Sequence, residues 1–145
     1  MTENVKTIRD TMTCHDAVKR MVRDCVRHLA VVDERGRLSG MVTDRDLRHH
    51  LFEPRMLTQV GTVSVDTLLK GTTVAQVMSA PAVTIDASEP LENATRLMLA
   101  RKIGSLPVLD GGRLAGMLTE TDVLRRIIGE DACCHDVETI VVSYP

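Results

Sequence analysis

Hydrophobic positions along the chain follow two rhythms, short apolar runs and helically spaced stretches, and the same order of rhythms occurs twice. In the second half, residues 83–85 (Val-Thr-Ile) predict a short strand. Asp86, Ser88, Glu89 and Pro90 then supply residue types that favour the start of a helix and its capping. Leu91, Ala94, Leu97, Met98 and Ile103 recur at helical spacing, predicting an amphipathic helix to Lys102. Apolar runs at 106–109 and 114–118 flank Asp110-Gly111-Gly112-Arg113, which predicts a hairpin. A final helix is expected over 120–128, stopped by Gly129. The first half repeats this order at 6–8, 11–27, 29–32, 38–42 and 44–51.

The repetition extends to identities. Aligning residues 28–47 with 105–123 through one gap in the turn makes ten of nineteen paired positions identical, which marks an internal duplication. Thr7-Ile8 matches Thr84-Ile85, Ala17 matches Ala94 and Met21 matches Met98. The expected fold is therefore α+β: two β-α-β-β-α repeats related by a pseudo-twofold axis. Residues 1–52 form the first repeat, 53–71 an inter-repeat insertion, 72–129 the second repeat and 130–145 a C-terminal tail. Within the insertion, Val63, Ser64 and Val65 suggest a strand, and after it residues 73–78 suggest a short helix that leads into the second unit.

Composition narrows the function classes. A net charge of −2, with both signs interspersed, supplies no basic field for a nucleic-acid backbone or an anionic membrane. Phe52 and Tyr144 are the only aromatic residues in the sequence, so base-stacking platforms are excluded and a flat ring must be held by aliphatic groups and backbone. No apolar run approaches a membrane span, and residues 1–6 lack the apolar core of a signal peptide. With Cys14, Cys25, Cys133 and Cys134 read as reduced thiols, a cytoplasmic protein is expected. No P-loop, dinucleotide fingerprint or catalytic triad is legible, so no enzymatic activity is expected.

The best-matched segments are Gly40-Met41-Val42-Thr43-Asp44-Arg45-Asp46 and Gly116-Met117-Leu118-Thr119-Glu120-Thr121-Asp122. Each puts a Thr at a strand end and an Asp three residues on, in the first turn of a helix. That spacing is close to a capping box, and taken alone it favours capping. Two features point further. The glycine three residues before each Thr removes a side chain where something can approach the backbone. A helix start also offers N–H groups and a hydroxyl to phosphate, while the carboxylate accepts hydrogen bonds from a ribose diol.

With its paired G-x-x-T-x-x-D motifs and the strands R-H-L-A-V-V-D and G-S-L-P-V-L-D, the chain resembles the CBS-domain family from Val5 to Ile128. Ala30 stands where that family often has Pro. The resemblance implies a tandem pair, a Bateman module, that binds AMP, ADP, ATP or S-adenosylmethionine as a regulatory ligand, with no cofactor required. It also implies a metabolite or energy sensor that forms a homodimer and acts on a protein partner in trans. Carried over by position, Thr43 and Asp46 would face Ala82, Val83, Gly104 and Ser105. Thr119 and Asp122 would face Val5, Lys6, Arg27 and His28. The second cleft, with Lys6, Arg27 and His28 nearby, would prefer the more heavily phosphorylated ligand.

Two other classes compete with this reading. One is a metal- or thiol-responsive protein using Cys133, Cys134 and His135, although C-x-x-C spacing is missing. The other is a purely structural dimerisation module in which the T-x-x-D motifs only cap helices. Cys14 and Cys25 lie about three helical turns apart and are expected to face similar directions. His49 and His50 suit a helix end, and the repeated Met21, Met41, Met98 and Met117 suit the core. Val18, Val22, Leu97 and Leu124 are candidate positions for a twofold interface.

Overall fold

The computed structural model describes residues 1, 3–51 and 64–129. Phe52, Val63, Cys133, Cys134, His135 and Tyr144 lie outside the described residues, and with them the expectations placed on the tail. The first unit contains β1 (Thr7–Arg9), α1 (Cys14–Asp24), β2 (His28–Val32), β3 (Leu38–Thr43) and α2 (Asp44–Leu51). Two short helices follow, α3 (Val65–Gly71) and α4 (Val74–Val77). The second unit contains β4 (Ile85–Asp86), α5 (Leu91–Arg101), β5 (Ser105–Asp110), β6 (Arg113–Thr119) and α6 (Glu120–Ile127). Each unit builds a three-stranded sheet with its first strand parallel and its hairpin antiparallel.

The duplication survives in fine detail. The register slips between Val31 and Val32 in one hairpin and between the equivalent Val108 and Leu109 in the other. The two units differ where Ala30 replaces the proline seen as Pro107. Ala30 N–H donates to the Lys6 carbonyl at 3.2 Å, and Thr7 pairs with Ala30. Pro107 has no N–H to give, so pairing in the second unit starts only at Ile85 and β4 is a residue shorter.

Each unit has its own core. Ile8, Ala17, Met21, Leu29, Val31, Val42 and Leu47 pack in the first. Ala94, Met98, Leu106, Val108 and Leu118 pack in the second. Full burial of a leucine such as Leu29 or Leu106 contributes about 1.5–3 kcal/mol. A third cluster joins the two sheets: Ala30 and Met41 meet Met117, flanked by Val5, Leu38, Ala82 and Leu114. The four repeated methionines are all buried, as their positions predict.

Several local expectations change. Val65 is not part of a strand; it opens α3, with the Ser64 hydroxyl accepting from Thr67 N–H at 3.3 Å. A serine three residues ahead of a hydrogen-bonding partner is a local cap signal that outweighs β-branched composition. The residues before α5 do not cap it: Pro90 sits at the N-cap with no side-chain bond, and Asp86 instead accepts from Ser88 N–H and Oγ–H at 2.9 and 2.6 Å. Cys14 is buried while Cys25 is exposed, because the chain leaves α1 at Cys25 in a left-handed turn. Burial pushes the Cys14 thiol up to about 11. The short helix expected to lead into the second repeat packs on the first: Val74 belongs to the first core, and its N–H donates to the Met12 carbonyl at 2.8 Å. His49 and His50 do occupy the last turn of α2.

Candidate functional site

Both T-x-x-D segments fold as predicted, and their geometry is a closed capping box. Thr43 N–H and Oγ1–H each donate to Asp46 Oδ2 at 2.9 Å, and Asp46 N–H donates back to Thr43 Oγ1 at 3.2 Å. In the second unit the corresponding distances for Thr119 and Asp122 are 2.8, 2.9 and 3.3 Å. In each box the two bonds that reach the carboxylate share one oxygen, Oδ2, and the third ends on the threonine hydroxyl. No side chain among the described residues hydrogen-bonds Oδ1 of Asp46, and Oδ1 of Asp122 has the Met1 ammonium at 3.9 Å. A boxed carboxylate therefore keeps one oxygen as an acceptor for something else.

A third box was not anticipated. Thr13 and Asp16 at the start of α1 make the same three bonds at 3.2, 2.9 and 3.2 Å, and these hold the Asp16 carboxyl below its ordinary range. The signal was present in the spacing Thr13-Cys14-His15-Asp16. Box geometry is thus a property of this residue spacing at a helix start, and it does not by itself mark a ligand site. What distinguishes the other two boxes is their place, at strand ends beside the junction of the two units.

The glycines beside these turns serve the protein's own packing. A Cβ on Gly40 would sit 2.7 Å from the Ser79 carbonyl oxygen and 2.9 Å from Met78 Sδ. The segment carrying Ser79 is bonded to β3, with Met41 N–H to Ser79 O at 3.0 Å and Ser79 N–H to Met41 O at 2.8 Å. On the other side, Met1, the residue equivalent to Met78, lies over Gly116. What approaches each glycine backbone here is a methionine from the segment that precedes the first strand of the opposite unit.

The remaining candidate residues sort as follows. Ala82 and Val5 both reach the cluster that joins the sheets. Val83 packs against the second core. Gly104 and Ser105 are tied directly to their own unit's turn: Glu120 N–H donates to Gly104 O at 3.0 Å, and Ser105 pairs with Thr119. The Arg27 carbonyl likewise accepts from Asp44 N–H at 3.1 Å, and His28 pairs with Thr43. Lys6 lies close enough to Asp24 to help hold its carboxyl down, behind the larger effect of the Arg23 hydrogen bond. Besides the Met1 ammonium at Asp122, His28 links the units electrostatically: it feels Asp44 and Asp46 of its own unit and Glu120 of the other. Glu120 was missed by sequence reasoning, because nothing local announces a partner in another unit.

Elsewhere, an open hollow of about 410 Å³ is lined by Asp10, Thr11, Asp33, Glu34, Arg35 and Arg37. Its central carboxylate, Asp33, is already occupied by Arg35 N–H, Arg37 N–H and Arg37 Nε. Among the described residues no group of three His, Cys, Asp or Glu side chains is placed to hold a metal ion, and no helix is long and apolar enough to cross a membrane.

Comparison with known proteins agrees with this arrangement. The CBS domain family matches residues 1–53 and 74–129. The chain is 36% identical over 131 residues to a CBS domain-containing protein of Dictyostelium discoideum, covering 88% of each. It is 32% identical over 130 residues to a homoserine O-acetyltransferase of Methanococcoides burtonii, covering 89% of this chain and 23% of that enzyme. The structure of CBSX2 in complex with AMP superposes with a TM-score of 0.68 and 28% identity, covering 89% of this chain and 93% of that one. Two matched repeats over most of the sequence, folded as two equivalent three-stranded units, show that the chain belongs to the CBS domain family.

Proposed function

We propose that this chain is a regulatory module that binds an adenosine derivative, one of AMP, ADP, ATP or S-adenosylmethionine, and acts as a metabolite or energy sensor without chemistry of its own. The observation that carries the reading is the pair of boxed carboxylates at the inter-unit junction, each with Oδ1 left outside its box. A carboxylate accepts but cannot donate, so it suits the hydroxyls of a ribose diol. The junction supplies aliphatic walls for a base through Ala82, Val5 and the paired methionines. The likeness to CBSX2, which was solved with AMP, supports an adenosyl ligand.

In this reading Thr43 and Asp46 work with Ala82, Val83, Gly104 and Ser105, and Thr119 and Asp122 with Val5, Lys6, Arg27 and His28. The second cleft takes the more heavily phosphorylated ligand, because Lys6, Arg27 and His28 supply cationic groups there and the first cleft has Gly104 and Ser105 instead. The module is cytoplasmic and homodimeric, and a protein partner in trans reads the ligand-dependent shift between states. Of the four interface candidates, Val18 and Leu97 pack on the cores, while Val22 and Leu124 are 73% and 61% exposed and remain for the interface.

The test is a thermal-shift panel of AMP, ADP, ATP and S-adenosylmethionine, followed by titration of the best ligand and its 2′-deoxy form. A ligand at ~100 times its Kd should add about 2.7 kcal/mol of stability. Loss of the 2′-hydroxyl should weaken binding by about 1.5–3 kcal/mol, the scale of a hydrogen bond to a charged group. Equal affinity for both forms removes the ribose role of the carboxylates. The third box at Thr13 fits the competing view that the motifs only cap helices, and failure of all four ligands to shift the melting temperature would favour that view over this one.

A further inference from the structure

His28 occupies a position that its counterpart cannot imitate. It opens β2, stands opposite Thr43 in the antiparallel register, and is half-buried. The residue at the same place in the second unit is Ser105, opposite Thr119 and buried. A serine does not titrate in the physiological range, so the duplication left one titratable corner and one silent corner. The charged groups around the imidazole come from three elements. Arg27 precedes it in the chain, Asp44 and Asp46 belong to the first turn of α2, and Glu120 belongs to the first turn of α6 in the other unit.

We propose that a phosphorylated ligand binds at this junction together with one proton, taken from solvent by the His28 imidazole and returned when the ligand leaves. The proposal rests on the nucleotide reading above and names how that site is regulated. Burial outweighs the three carboxylates and holds the free imidazole below its ordinary value of 6.5, so it is neutral in the empty protein at pH 7.5. A phosphate arriving between the two helix starts adds negative charge and acceptor oxygens to the same corner. The imidazolium then becomes the favoured form, because an opposite charge within a few ångströms stabilises it. No covalent bond forms or breaks; the ring nitrogen gains a proton from the buffer. Linkage then requires affinity to rise as pH falls, by up to ~10-fold per pH unit between the free and bound titration midpoints. Phosphate-free adenosine brings no such charge and takes up no proton.

The test is calorimetric titration of the full chain with AMP, ATP and adenosine at pH 7.5, in two buffers of different ionisation enthalpy. At that pH the ligand phosphate, with its second ionisation near ~6, is already almost fully deprotonated. The expected result is buffer-dependent heat corresponding to between zero and one proton taken up for AMP or ATP, and none for adenosine. In His28→Gln and in His28→Ser, which restores the residue of the other unit, the buffer dependence disappears while binding persists more weakly. A second measurement needs no variant: the NMR titration midpoint of the His28 imidazole should move up when AMP is present. Buffer-independent heats with clear binding, an uptake that survives both substitutions, or an unmoved His28 midpoint would each overturn the proton linkage and leave the nucleotide reading standing. No binding by any probe would overturn both.

Discussion

Adding one carbon at Gly40 tests how the first unit holds the segment that borders its turn. A Cβ there falls 2.7 Å from the Ser79 carbonyl oxygen and 2.9 Å from Met78 Sδ, against roughly 3.5–4.0 Å for a comfortable non-bonded contact. Met78 can rotate away, but the Ser79 oxygen is backbone and is bonded to Met41 N–H at 3.0 Å. Moving it by the missing distance strains the two bonds that join Ser79 to Met41, each contributing about 0.5–1.5 kcal/mol net. Overpacking of a tight site costs about 1–3 kcal/mol. Alanine recovers part of this, about 0.4–1 kcal/mol, by restricting the unfolded chain, since Gly40 does not need a left-handed conformation. The net expectation for Gly40→Ala is a loss of about 1–2 kcal/mol, or roughly 2–8 °C in Tm.

Gly116→Ala is the internal control. There the three nearest atoms, at 2.5, 2.7 and 3.1 Å, all belong to the Met1 side chain, which can swing out at small cost. That variant should melt within about 0.5 kcal/mol of the parent, because relieving the clash moves a flexible side chain and strains no backbone bond. Urea denaturation of the three proteins side by side reads the difference, with an unchanged slope confirming that stability alone has moved. If Gly40→Ala matched the parent, or if both alanine variants lost the same amount, the backbone clash would not be what distinguishes the two glycines.

Two further outcomes follow from the same geometry. Thr13→Ala should cost about 0.5–2 kcal/mol at neutral pH, the usual worth of an N-cap side chain; because the box depresses the Asp16 carboxyl, that contribution is lost as pH falls through its folded value, so the gap between variant and parent should close in acid denaturation series. His28 has a folded value below its ordinary 6.5, so its neutral form supports the fold above that pH and stability drains as pH drops toward the folded value; urea midpoints across this window should fall more steeply for the parent than for His28→Gln, and identical pH slopes would refute the assignment.

The order of elements and the cap-forming T-x-x-D turns were legible in the sequence because each rests on neighbours a few residues away, and the buried methionines because the duplication repeats them at matching apolar positions. At a helix start, a hydroxyl three residues before a carboxylate closes the same box at Thr13, Thr43 and Thr119; in the strand at Thr7, three residues before Asp10, it does not. The same locality explains the failures. Residues 63–65 looked β-like by composition, yet Ser64 caps a helix that packs along α1 through contacts no local pattern encodes. Val18 and Val22 are one helical turn apart and chemically identical, but one meets the first core and the other solvent. Tertiary structure alone decided that Met78 lies over Gly40 and Met1 over Gly116, that Val74 completes the first core, and that Glu120 reaches the corner held by His28. Those contacts join residues far apart in the chain. Which of them form depends on how two sheets pack face to face, and apolar periodicity fixes which side of a strand is buried without naming what it is buried against.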